Sequence, residues 1–131
     1  MGKYTKAMQR TGLGIPGRTT CPSADEIPYL LELTHDADER VRRRPLKHLC
    51  PCRVRRRYDE VWDRIFEMAG DPRPGVRKDA VHALTDGSPK ELVFRVLAQL
   101  EEMRRDPDDD VRRYVNRTIN AYRRHGRVNV N

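Results

Sequence analysis

His35-Asp36-Ala37-Asp38-Glu39-Arg40-Val41-Arg42, Gly70-Asp71-Pro72-Arg73-Pro74-Gly75-Val76-Arg77 and Arg105-Asp106-Pro107-Asp108-Asp109-Asp110-Val111-Arg112 are three versions of one string. Asp36, Asp71 and Asp106 lie 35 residues apart, and so do Val41, Val76 and Val111. Apolar columns keep the same offset on both sides of the string. They are Ile27, Trp62 and Leu97; Leu30, Ile65 and Leu100; Leu33, Met68 and Met103; and Leu49, Leu84 and Ile119. A fixed period carried through three copies marks stacked supersecondary units, each too small to bury its apolar face alone.

Each unit reads as two helices. Val61, Ile65, Phe66, Met68 and Ala69 have helical spacing, and Gly70-Asp71-Pro72 breaks it. Pro74 suits the first turn of a second helix, whose apolar stripe is Val76, Ala80, Val81 and Leu84. Ser88-Pro89-Lys90-Glu91 predicts a capping box with proline at the first helical position of the third unit. Asp108 to Asp110 suit the positive end of the last helix. Ser23 or Asp25 is the expected cap of the first. The domain map is a loose arm over 1–22, a repeat domain over 23–125 and a tail over 126–131. The units run over about 23–54, 55–88 and 89–125. Pro45 stands where the other units have Ala80 and Val115; a mid-helix proline costs about 3 kcal/mol or more, so this helix is expected to be kinked or short.

The three Asp-to-Arg strings resemble the intra-repeat turn of HEAT repeats, in the short, regular form of bacterial and archaeal HEAT-like proteins, over about residues 24–124. The tetratricopeptide and ankyrin patterns are missing. The resemblance implies an all-α fold, a right-handed α-α superhelix of the HEAT-like or armadillo type with three helix pairs. It also implies that second helices line the concave side, and that such proteins commonly act as non-enzymatic scaffolds.

Composition agrees with a thin helical protein. Hydrophobic residues are 37% of the 131-residue chain and charged ones 36%. No apolar run is long enough to span a membrane. The opening lacks a basic-then-apolar secretory pattern, and an odd three cysteines make no disulfide framework, so a reducing, cytoplasmic setting is expected. The net charge is +7, and the excess lies entirely in residues 1–57. Arg40 to Arg57 hold nine basic residues and no acid. Such asymmetry points to an anionic partner.

The repeated polar residues divide into two sets. Arg42, Arg77 and Arg112 are assigned to the turns, each paired with an Asp of its own unit or the next. Arg43, Lys78 and Arg113 form a second cationic column, and Lys47, His82 and Arg117 follow four residues later on the same helix face. With Arg44 and the run Arg53, Arg55, Arg56 and Arg57, these are the candidate binding residues, although Asp79 beside Lys78 weakens the field. The leading expectation is an interaction module that takes an acidic partner protein on a cationic concave face. The alternative is binding of nucleic acid through its phosphate backbone, without an aromatic platform for stacking bases.

No catalytic residue, metal or cofactor is predicted. Cys50-Pro51-Cys52 with His48 lacks the number and spacing of zinc ligands. Some HEAT-like families are DNA glycosylases, bilin lyases or di-iron hydroxylases. Here the only Trp falls on the opposite helix, His-Glu pairs are missing, and no constellation of acid, base and nucleophile converges.

Overall fold

A computed structural model of the chain describes residues 26–48 and 59–129. Every regular element among the described residues is helical. The α-helices are α1 (Ile27–Leu33), α2 (Glu39–His48), α3 (Asp59–Met68), α4 (Pro74–Leu84), α5 (Val93–Glu102) and α6 (Asp109–His125). They form three pairs, and the second helices α2, α4 and α6 stack in order along the molecule. The fold is an α-solenoid of helix pairs, as the 35-residue register predicts. The expected arm, Leu49, the caps Ser23 and Asp25, and Cys50 to Arg57 lie outside the described residues.

The periodic columns become the core. Leu30, Ile65 and Leu100 are fully buried, as are Val76 and Leu84, and Val41, Val111 and Ile119 are nearly so. Trp62 is buried with Ile27, whereas Leu97, the third of that column, is half-buried. Truncating a fully buried leucine such as Leu100 to Ala typically costs about 2–5 kcal/mol. Buried Thr34, Thr85 and Thr118 place no orphan hydroxyl in this core, because each donates to a carbonyl three or four residues earlier on its helix.

Pro74 and Asp108 sit at helix starts, as the sequence predicts, whereas Ser88 does not. Pro74 opens α4, and the Asp108 side chain caps α6 by accepting from the Asp110 and Val111 N–H groups at 2.9 and 3.0 Å. Arg123, Arg124 and His125 sit in the last turn of α6, beside its negative end, and Gly126 closes it in the left-handed region at φ 69°. The capping box at Ser88 does not form. Lys90–Leu92 is a 3-10 turn, Pro89 precedes it, and α5 begins at Val93. Asn129 has taken the role: its Oδ1 accepts from the Gly87 N–H, the Ser88 N–H and the Ser88 hydroxyl. Val128, next to it, is buried in the core. The expected shortening at Pro45 does not occur either. α2 is ten residues long, close to the eleven of α4, and Pro45 is buried inside it. The proline removes one backbone donor without ending the helix.

The turn between paired helices is the same each time. The Asp side chain accepts the N–H two residues on, at 2.8 Å for Asp36 and 2.9 Å for Asp71 and Asp106. The Arg of one unit then clasps the Asp of the next. Arg42 donates from Nε and Nη2 to the two oxygens of Asp71, both at 3.0 Å, and from Nη1 to the carbonyls of Asp36 and Ala37 in its own turn. Arg77 does the same to Asp106, at 2.8 Å twice, and to the carbonyls of Asp71 and Pro72. These rungs are largely buried, with side chains between 6 and 12% exposed. Arg112 has no following unit among the described residues and donates to the Asp106 carbonyl and to Asp109. Arg64 adds a second tie between units, donating to the hydroxyl and carbonyl of Thr34 at the end of α1.

Two expectations follow. Arg42→Ala and Arg77→Ala each leave a largely buried Asp without its partner, so each should lower unfolding free energy by about 3 kcal/mol; Arg112→Ala should cost under about 1 kcal/mol. Urea titration at neutral pH separates the three. The second expectation concerns acid. Burial alone would raise the Asp106 carboxyl, but the Arg77 guanidinium and the Asp108 N–H outweigh it and hold the group below the ordinary carboxylate range. A depressed folded value gives stability that is complete above the unfolded value near about 4 and is lost as pH falls through the folded one. Unfolding free energy should therefore fall below about pH 4, and the Arg77→Ala variant should show a shallower acid slope over that window.

Candidate functional site

The second helices carry the predicted cationic columns outward. Arg44, Lys47, Lys78, His82, Arg113 and Arg117 are all exposed, and Arg43 is half-buried. Their register follows from the core: Val41, Leu46, Val76, Ala80, Val81, Val111 and Val115 are buried, so the residues between them face away. The side chain of His48 and the whole run Arg53, Arg55, Arg56 and Arg57 fall outside the described residues, as do Cys50 and Cys52. Among the described residues no cluster of His, Cys, Asp and Glu is arranged to hold a metal ion.

Charges on this face are less free than the sequence columns suggest. Arg43 reaches across to α4 and donates from Nε to Asp79 at 2.7 Å. That hydrogen bond pushes its pKa up and keeps it charged, against the opposing effect of burial. Gly75 makes room for the reach: a Cβ there would lie 2.9 Å from Arg43 Nη1. Arg113 bonds Asp110 one turn back on α6, and the Asp110 carboxyl is pulled below its usual range by that hydrogen bond, then by the charges of Arg113 and Lys78. His82 meets the Tyr114 hydroxyl at 3.0 Å through Nδ1 and lies 3.6 Å from Asp86 on its other side. Arg117 covers the Tyr114 ring, 5.1 Å from its centroid. Tyr114 thus links His82 to Arg117, and the Arg117 guanidinium covers its ring.

Basic side chains crowd together at α2. An open concavity of about 300 Å³ between α2 and α4 is lined by Arg40, Arg43, Arg44 and Lys47, with Asp79 as its acid. Arg40 bonds Asp38 in its own turn, which was outside the predicted set, yet its side chain is 82% exposed. The repeat could not have flagged it, because Gly75 and Asp110 share its column. On the first-helix side, Arg95 stacks 4.0 Å over the Phe66 ring and bonds Asp63 at 2.8 Å, a contact between units that no repeated column announces.

A family model described as HEAT repeats matches residues 27–120, most of the chain, and the chain belongs to that family. HEAT repeats are generally modules of protein interaction. No curated protein and no solved structure matches the chain. No helix among the described residues is long and apolar enough to cross a membrane.

Because Arg43 is 43% exposed and Asp79 23%, their pair adds little to folding, typically under about 1 kcal/mol. Asp79→Asn should therefore leave the thermal midpoint nearly unchanged while freeing Arg43, which a side-chain NMR signal of its Nε–H would report.

Proposed function

We propose that this HEAT-repeat protein is a non-enzymatic interaction module that takes an acidic segment of a partner protein along its second-helix face. The observation that carries the reading is the open concavity between α2 and α4, whose lining is Arg40, Arg43, Arg44 and Lys47 with Asp79. Lys78, His82, Arg113 and Arg117 extend the surface along α4 and α6; Arg53, Arg55, Arg56 and Arg57, which complete the candidate set, lie outside the described residues. Adjacent helices pack about 8–10 Å apart, which suits an extended peptide with carboxylates at several positions. Attraction of this kind acts chiefly on the association rate and on specificity.

Nucleic acid is the second reading. A phosphate backbone offers charge at every step and favours unopposed cations, whereas here Asp79 and Asp110 interrupt the row. Tyr114, engaged by His82 and Arg117, does not offer its face to bases. Those interruptions favour a peptide with spaced carboxylates. The reducing cytoplasm is the proposed setting, on the cysteine count.

A labelled oligoglutamate peptide and a DNA duplex of equal charge, titrated in fluorescence anisotropy over a salt series, test the reading. The peptide should bind, and changing Lys47, Lys78 and Arg113 together to Gln should weaken it most at low salt. Asp79→Asn should tighten it by about twofold to fivefold, the size of one exposed charge pair. Equal or better binding of the duplex, with a steeper salt slope, would transfer the face to nucleic acid.

A further inference from the structure

Among the described residues the ladder of Arg–Asp rungs is open at both ends, and the two open ends match. Within the chain every complete rung uses one pattern. The Nε and Nη2 edge of an Arg meets both oxygens of the next turn's Asp, while Nη1 holds the carbonyl of its own turn. Arg112 keeps the second half of that pattern, with Nη1 on the Asp106 carbonyl at 2.8 Å. Its Nε has no partner among the described residues, and Nη2 rests on Asp109, whose side chain is 72% exposed. The Arg112 side chain is itself 39% exposed, against 12% for Arg42 and Arg77. At the other end, Asp36 forms the same turn as Asp71 and Asp106, with Oδ1 on the Asp38 N–H. No Arg meets its carboxylate among the described residues, and it remains partly exposed.

We infer that two copies of this chain associate head to tail, with Arg112 of one clasping Asp36 of the next as Arg42 clasps Asp71 and Arg77 clasps Asp106. The contact continues the interface already present twice in the molecule, which is what identifies the occupant. Asp109 is a weak, exposed holder of Arg112, easily displaced by a carboxylate that meets the guanidinium with two parallel hydrogen bonds. Such a contact joins different surfaces of the two copies, so it extends into a chain of molecules or closes into a ring according to the rotation per step.

The rest of the C-terminal face makes the association reversible. Three columns that are apolar or small in the earlier units turn polar there. Leu31 and Phe66 give way to Glu101, Thr34 and Ala69 to Arg104, and Leu46 and Val81 to Asn116. These three line one open concavity of about 440 Å³. Arg104 bridges the other two, at 3.3 Å to each. The register also sets Arg113 opposite Arg44 of the next copy, with Asp110 on Arg113 to offset the charge. A face of this kind is compatible with water when free, and its closure rests on the rung more than on apolar burial.

Sedimentation velocity of the full chain over a concentration series, at low and high salt, tests the inference. The wild type should gain mass with concentration, less so at high salt. Arg112→Asp and Asp36→Arg should each remain monomeric alone. An equimolar mixture restores opposite charges at every junction and should associate again. Asp109→Asn, which releases Arg112, should strengthen association. Two gentler variants guard against a broken turn. Asp36→Asn still accepts the Asp38 N–H, and Arg112→Gln can still donate to the Asp106 carbonyl. Each should weaken self-association at least about tenfold with the circular dichroism melt preserved. A wild type that stays monomeric at the highest concentration and low salt overturns the inference, as does an Arg112→Asp chain that associates like the wild type. Neither result bears on the peptide face, because Arg112 and Asp36 do not line the α2–α4 concavity.

Discussion

The rung between Arg42 and Asp71, repeated between Arg77 and Asp106, is the constraint on which the stack depends. Each Asp does two things at once: it folds its own turn by accepting the N–H two residues on, and it fixes the preceding unit through the Arg. Each Arg likewise ties its own turn's carbonyl to the next unit. A helix pair alone has little core, and apolar faces by themselves could slide along one another. Two parallel hydrogen bonds on a planar guanidinium admit one spacing and one direction, so they set the register in which the apolar columns meet. The burial of Leu30, Ile65 and Leu100 supplies most of the driving force; the rungs decide where that burial happens.

This division explains what the sequence made legible. The columns that build the core and the rung recur every 35 residues, so the stacked helix pairs and their turns could be read from spacing, and the structural role of Arg42 and Arg77 followed from the resemblance to HEAT repeats. What could not be read occurs once. Asn129 caps the loop at Gly87 and Ser88 from beyond the last copy, where no register exists to point to it. The Ser88-Pro89-Lys90-Glu91 string carries the local signature of a capping box, but a tertiary partner captured the serine and its N–H first. Pro45 by local chemistry alone predicts a kinked or short helix. Its flanking Val41 and Leu46 are buried, and packing of the helix against its neighbours offsets the one missing donor.

The candidate face shows the same asymmetry between pattern and pairing. Periodicity places Arg43, Lys78 and Arg113 in one column and correctly turns them away from the core. It is blind to the acids, because Asp79 shares a column with Arg44 and Tyr114, and Asp110 shares one with Arg40 and Gly75. The charge that a ligand meets is therefore set by residues that do not repeat. Arg43 is partly neutralised from the next unit, Arg113 from its own helix and Arg40 from its own turn, and Arg40, Arg43, Arg44 and Lys47 line one open groove.

Two kinds of arginine thus lie side by side on the second helices, one position apart, and their chemistry follows from burial. At Arg42 and Arg77 the guanidinium is mostly withdrawn from water and meets a carboxylate equally withdrawn, so the pair behaves as part of the core and its loss exposes an uncompensated charge. One residue on, at Arg43 and Arg113, the same group stays in solvent, its pair is weak, and a competing anion can exchange for the intramolecular acid at little cost to the fold. Arg112 stands between these classes. By sequence it belongs to the first column and by exposure to the second, because the unit that would bury it is not part of the described stack. A residue shaped for a buried rung but left in water retains the geometry that selects a carboxylate without the partner that would silence it, and this gives the end of the solenoid its chemical specificity.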